Sequence, residues 1–358
     1  MFKSLKLIHA LQFMFVLAAS SFTSACQDNN YPEVKLLDPP VATTFTNPLM
    51  TGSDPWILRA NDTYYYQQTM GDRVRLWQTD DPSQLESATS TDIFIPEEGA
   101  ANSQNIWAPE IYSIDGKWYV YFTGGDGQDV NQRIWVLENT SDDPMTGNWV
   151  EKGKISNENA DFWAIDGTVM EYNGASYFIW SGRPDVTNVD LTQKIYLSKM
   201  TNPWTLEGDV TLLSEPEYDW ERNGFGVNEA PEVLQGPNGY FLTYSASFCG
   251  TDDYALGMLT LKEGGDPMVA TNWQKSENPV FSKKPENNAY GPGHNGFFKS
   301  PDGTENWIIY HANTNSGDGC SPLRNVRMQP FIFGDSGVPQ FGEPVATGQE
   351  LEKPAGDL

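Results

Sequence analysis

Asp161-Phe-Trp-Ala-Ile-Asp-Gly-Thr-Val169 lies near the middle of the 358-residue chain, with a carboxylate, Asp166, in an apolar and aromatic setting just before a β-type run. The same arrangement recurs along the sequence. A polar residue opens a short strand at Asp54, Glu110, Asp166, Glu229 and His294. Each is followed by a pair suited to a tight turn: Asn61-Asp62, Asp115-Gly116, Asn173-Gly174, Asn238-Gly239 and Asp302-Gly303. Such pairs tolerate the positive φ angles of two-residue hairpins. An aromatic strand comes next (Tyr64–Tyr66, Trp118–Phe122, Tyr177–Trp180, Tyr240–Tyr244, Trp307–Tyr310), then in four repeats a third apolar strand: Val74–Trp77, Ile134–Leu137, Ile195–Leu197 and Leu256–Leu259. Those four repeats then carry Asp81-Pro82, Asp143-Pro144, Asn202-Pro203 or Asp266-Pro267, and in three of them a tryptophan follows closely (Trp149, Trp204, Trp273). A unit of about 60 residues with four short strands, repeated five times, predicts an all-β, five-bladed β-propeller with four antiparallel strands per blade. First strands of blades are innermost, so Asp54, Asp166, Glu229 and His294 are expected to face one pocket on the axis.

Around this repeat the chain divides simply. Residues 1–25 read as an export leader, with Lys3 and Lys6 ahead of an apolar run that is too short and interrupted for a comfortable membrane span. Thr23-Ser-Ala-Cys26 resembles a bacterial lipoprotein cleavage site, although Thr23 stands where Leu or Val is common. Cys26 is therefore the expected lipidation site, residues 26–45 a Pro-containing tether, and residues 46–350 the propeller. The expected location is a membrane-anchored lipoprotein of the periplasm or cell surface, or a secreted protein without the anchor. With Cys26 lipidated, Cys249 and Cys320 remain, in loops of repeats four and five, as a candidate disulfide; two separate thiols are the alternative. No helical periodicity persists. Phe331–Phe341 reads as a final hairpin that closes the ring against the first blade, together with the segment near Thr44–Pro48.

A net charge of −26 argues against nucleic acid or an anionic membrane surface as a partner, since both select basic patches. It also disfavours polyanionic glycans. A neutral saccharide suits the 13% aromatic content better, and no feature calls for more than a monomer. The sequence has no Gly-x-Ser-x-Gly elbow, no phosphate-binding glycine loop and no zinc-spaced Cys/His set. Carboxylates remain as acid and base, and glycoside hydrolysis is the reaction that runs on a carboxylate pair.

Six motifs in order resemble family 43 of the glycoside hydrolases: Gly52-Ser-Asp54-Pro-Trp, Asn105-Ile-Trp107-Ala-Pro-Glu, Ala164-Ile-Asp166-Gly-Thr-Val, Val227-Asn-Glu229-Ala-Pro-Glu-Val, Tyr290-Gly-Pro-Gly-His294-Asn and Arg324-Asn-Val-Arg-Met-Gln-Pro. The resemblance implies a five-bladed propeller acting on arabinose- or xylose-containing plant polysaccharides. It further implies Asp54 as general base, Glu229 as general acid, Asp166 as the group tuning the acid's pKa, and Arg324 as a ligand of sugar hydroxyls. Glu229-Ala-Pro replaces the usual Glu-Gly-Pro. The competing acid is Glu232, expected on the opposite strand face from Glu229. Glu110 is read as structural or peripheral, and Arg327 as the substitute for Arg324. Trp107 is a candidate sugar-stacking platform, with core packing as the alternative. No cofactor is required. The resemblance places His294 beside a calcium ion reached through waters, and His311 is read as structural. The activity so implied is an inverting, exo-acting α-L-arabinofuranosidase. β-Xylosidase, endo-arabinanase and a non-catalytic surface glycan-binding propeller are the alternatives; a retaining fructan enzyme lacks its Asn-Asp-Pro-Asn-Gly and Arg-Asp-Pro motifs here.

Overall fold

A computed structural model describes residues 42–356 except 186 and 188. The proposed leader, Cys26 and all but the end of the proposed tether lie outside the described residues. Five antiparallel sheets form five blades, whose first strands are Trp56–Ala60, Gln104–Ile114, Trp163–Tyr172, Asn228–Gly236 and Tyr290–Lys299. Each of these neighbours the next around a closed ring, the fifth against the first. Among the described residues the helical segments are short 3₁₀ turns, as the lack of helical periodicity predicts.

Turn chemistry explains the repeat. At Asn61-Asp62, Asp115-Gly116 and Asn173-Gly174 both residues have positive φ, as two-residue hairpins require. The other two differ. Gly236 pairs directly with Gly239, so the fourth turn is Pro237-Asn238, where proline supplies a fixed negative φ. Lys299 pairs with Asn306, which leaves a longer loop of which Asp302-Gly303 is one part. The four Asx-Pro sites share one device: Asp81, Asp143, Asn202 and Asp266 each accept, through a side-chain oxygen, the backbone N–H two residues on, at 2.9–3.0 Å. The tryptophans then close two of these turns, Trp149 donating to Pro144 O and Trp273 to Pro267 O.

The core lies between blades. Five apolar clusters each join neighbouring blades, and each interface holds an aromatic pair: Tyr65–Trp118, Tyr121–Phe178, Tyr172–Tyr240, Phe281–Tyr310 and Tyr64–Phe298, with ring centroids 4.9–5.7 Å apart. Such pairs contribute about 0.5–1.5 kcal/mol beyond their buried area. The strand-two aromatics legible in the sequence are these packing residues. Ring closure differs in detail from expectation. Met50–Thr51, from before blade one, pairs with Asn325–Val326 and so completes blade five, while Thr44–Thr46 pairs with Glu350–Glu352. The hairpin of Phe331–Phe341 forms, with Ile332 opposite Gln340.

Candidate active site

One backbone feature builds the site. Besides Asn105 at φ 56° in blade two, one non-glycine residue near the start of every inner strand takes a left-handed conformation: Asp54, Ala108, Asp166, Ala230 and His294, with φ of 39–57°. The strand register shifts at the last four. These are β-bulges, which re-aim side chains at a barrel or propeller mouth. Asp54, Trp107, Asp166, Glu229 and His294 lie at or beside these positions and Arg324 joins them from the loop before Asn325–Phe333; all six line one cavity of about 400 Å³.

The bulges also correct the sequence register. Trp107-Ala-Pro-Glu110 and Glu229-Ala-Pro-Glu232 are the same local structure, so Trp107 is the counterpart of Glu229, and Glu110 that of Glu232. Glu110 is therefore not the blade-two equivalent of the pocket glutamate. It is buried, as is Glu232, and the hydroxyl of the partly buried Tyr112 donates to Glu110 Oε2. The extra residue at Ala230 also cancels the expected opposition of Glu229 and Glu232: Glu229 lines the cavity, while Glu232 is buried nearer Glu110. Burial pushes Glu110 up to about 8 and raises Glu232 as well, helped by the charge of Glu110. Such a pair holds a proton at neutral pH.

Asp54 is the opposite case. Burial works to raise its pKa, but Arg324, His294 and His311 close by, and the hydroxyl of Thr69, hold it well below the usual carboxylate range. Arg324 Nη1 stands 3.3 Å from Asp54 Oδ1. Thr69 donates to Asp54 Oδ2 at 2.6 Å and accepts the N–H of Ala108 at 2.8 Å, which ties this carboxylate to blade two. The backbone N–H of Asp54 donates to His311 Nδ1 at 3.1 Å. His311 is fully buried, and burial with the nearby Arg324 keeps it neutral. It is thus a support of the site rather than only a core residue.

Glu229 titrates at about 7: burial and Asp54 raise it, while a hydrogen bond from Tyr254 and the charge of Arg324 lower it. Tyr254 Oη donates to Glu229 Oε1 at 2.8 Å, and its ring lies nearly parallel to that of His311. Asp166 is buried, and its pKa is raised by that burial and by Glu229 and Asp54. Its Oδ2 accepts the N–H of Ala230 at 3.0 Å, which pins the backbone beside Glu229. Gly167 is required here, because a Cβ would stand 2.3 Å from the Phe178 ring.

Arg327 does not reach the cavity. It is buried behind it, with Nε donating to Asn325 Oδ1 and Nη2 to Asn288 O. His294 lines the cavity with Nδ1 3.4 Å from Asp54 Oδ1, and burial lowers its pKa. Among the described residues no group of three or more His, Cys, Asp or Glu side chains is gathered for direct metal ligation. Cys249 and Cys320 form a disulfide on the cavity wall.

Sequence reasoning missed Thr69, Tyr254 and the wall formed by Asp129, Trp163 and Arg183. Arg183 is buried, its guanidinium carbon lies 3.8 Å from the Trp163 ring centroid, and it pairs with Asp129, which also accepts from Trp163 Nε1 at 3.3 Å. Trp163 stands three residues before Asp166 in the repeat motif, which was the available clue.

An ionised carboxylate and a proton-bearing carboxylic acid in one cavity of a five-bladed propeller define a carboxylate-based hydrolase site. Residues 45–339 match the profile of Glycosyl hydrolases family 43, and the chain belongs to that family. It is 40% identical over 315 residues to the extracellular exo-α-(1→5)-L-arabinofuranosidase of Streptomyces avermitilis, covering 85% of this chain and 64% of that protein. It is 34% identical to α-L-arabinofuranosidase 43 of Humicola insolens, covering 94% of this chain and 69% of that one. The crystal structure of an α-L-arabinofuranosidase from Lactobacillus brevis superposes with a TM-score of 0.80 at 34% identity, covering 85% of this chain and 98% of that one.

Proposed function

We propose that this protein is an inverting, exo-acting α-L-arabinofuranosidase that releases terminal arabinose from arabinan or arabinoxylan oligosaccharides. The observation that carries this reading is the contrast between Asp54, held ionised, and Glu229, raised to about 7, on one cavity. Asp54 takes a proton from water as the water attacks the anomeric carbon. Glu229 gives its proton to the departing oxygen, and Asp166, whose own pKa the charge of Glu229 raises, tunes the acid as its neighbour and anchors its strand. Arg324 bonds sugar hydroxyls besides orienting Asp54, and Trp107, half-buried on the cavity wall, offers its ring to the sugar. The names borne by relatives at 34–41% identity support arabinose as the sugar.

Release of 4-nitrophenol from its α-L-arabinofuranoside, and of single arabinose units from linear arabinan, is the expected result. Preferential cleavage of the β-D-xyloside, or oligomers as first products, would instead identify a xylosidase or an endo-arabinanase. Binding without turnover would make the chain a glycan-binding module. A calcium ion against His294 belongs to the same proposal. The neutral imidazole fits an ion held largely through water, where its charge would help keep Asp54 ionised. A calcium-dependent rise in melting temperature, reversed by chelator and abolished in His294→Ala, is expected. The extracellular relative supports export, and Cys26 remains the proposed anchor.

A further inference from the structure

The acid's strand and the cavity wall above it are continuous. Glu229 pairs with Ser245 across the blade-four ladder, and the chain leaving that partner strand reaches Phe248 three residues later. Phe248 lines the cavity and is 37% exposed, the one large apolar side chain among the described lining residues that is so open. Its seat is built from several sides. The Phe225 ring packs on it at 4.9 Å, and its N–H donates to Asn223 O at 2.9 Å. Ser247, at φ 70°, donates through its hydroxyl to Trp220 O. A Cβ at Gly250 would lie 2.3 Å from the Phe248 ring, and one at Gly224 2.9 Å from its Cβ. The next residue, Cys249, is bonded to Cys320 of blade five, and a Cβ at Gly319 would meet the Gly250 backbone at 3.1 Å. An aromatic ring held open to water by so much local constraint is poised to receive an apolar face.

The chemistry says which face. The general acid must touch the glycosidic oxygen, and the leaving group extends from that oxygen, away from the water on Asp54. Phe248 follows the partner strand of the acid and lines the cavity with it, in the blade that carries the proton donor. Resting on the glycosidase reading above, we propose that Phe248 is the platform for the sugar of the leaving group, stacking against its C–H face. It would then determine specificity for oligosaccharides over small aglycones.

The test compares wild type, Phe248→Leu and Phe248→Ala on α-1,5-arabinotriose and on methyl α-L-arabinofuranoside, with arabinose inhibition and melting temperature alongside. Leu keeps the packing on Phe225 and removes the aromatic face. A loss of about 10- to 100-fold in kcat/KM on the triose, with the methyl glycoside and the arabinose Ki within about twofold of wild type, is expected for both variants. Equal losses on both substrates in Phe248→Leu, or no loss on the triose in either variant, would overturn the platform. A wild type inert on both substrates would overturn the glycosidase reading itself, and the platform with it.

Discussion

Tyr254→Phe isolates how the site sets its acid. The hydroxyl of Tyr254 donates to Glu229 Oε1 at 2.8 Å, and burial with the charge of Glu229 raises its own pKa well above the ordinary range, so it stays a neutral donor throughout. A bond to a carboxylate contributes about 1.5–3 kcal/mol and one to a neutral partner about 0.5–1.5. Its loss therefore costs the ionised form more, by about 1–1.5 kcal/mol, and raises Glu229 by about one pKa unit. The sign follows directly. Activity needs Glu229 protonated, so it is present below the pKa of Glu229 and falls as pH rises through it. The alkaline limb of kcat/KM, near 7 in wild type, should move to about 8 in the variant. Phe keeps the ring that lies parallel to His311, so the plateau should change little. The assay is a pH profile on arabinobiose, whose poor leaving group needs the proton. A limb that stays in place or moves to lower pH would refute the reasoning, because Tyr254 would then be packing and not tuning the acid.

Glu229→Gln should cost roughly 10²–10⁴-fold on arabinobiose and least on aryl glycosides with activated leaving groups; if Glu232→Gln shows that pattern instead, the acid is misassigned. Proton NMR of early hydrolysis should show the anomer opposite to the substrate's, because a water fits between Asp54 and Glu229 when their carboxyl groups stand about 6.5–9.5 Å apart; retained configuration would refute the role of Asp54. Replacing Cys249 and Cys320 by serine opens a bridge of sequence separation 71 and should lower stability by about 2–4 kcal/mol in urea titration, whereas an unchanged midpoint would mean that other contacts hold these loops. Wild type should partition into detergent and Cys26→Ser into the aqueous phase; equal aqueous partitioning by both would end the lipid-anchor proposal.

Much of this architecture is visible in the residues because its causes are local. An Asx-Pro turn, a hairpin pair and an aromatic second strand act within a few positions, and their spacing reports the blades. Asp54 and Asp166 were findable because their left-handed positions coincide with Asp-Pro and Asp-Gly pairs. The shift at Glu110 arose where that coincidence fails. In blades two and four the left-handed residue two places before the inner glutamate is an alanine, Ala108 or Ala230, which advertises no unusual backbone, so matching carboxylate to carboxylate set blade two three residues out. Thr69, Tyr254 and Phe248 were illegible for another reason. They reach the cavity, or in the case of Tyr254 the acid behind its wall, from the loops after second strands, where position depends on neighbouring blades and no motif marks it.

The pairing of Met50–Thr51 with Asn325–Val326 also constrains how the molecule is made. The strand that completes the last blade is among the first residues of the propeller to be synthesised, and its partner is among the last. Until the far end of the chain arrives, the early segment has no ladder to join, and the ring stays open at one seam. A nascent chain therefore gathers its blades as a string and gains the closed circle in one late event. After that event neither terminal blade can peel away without breaking the seam, so the molecule should lose structure as a whole rather than blade by blade.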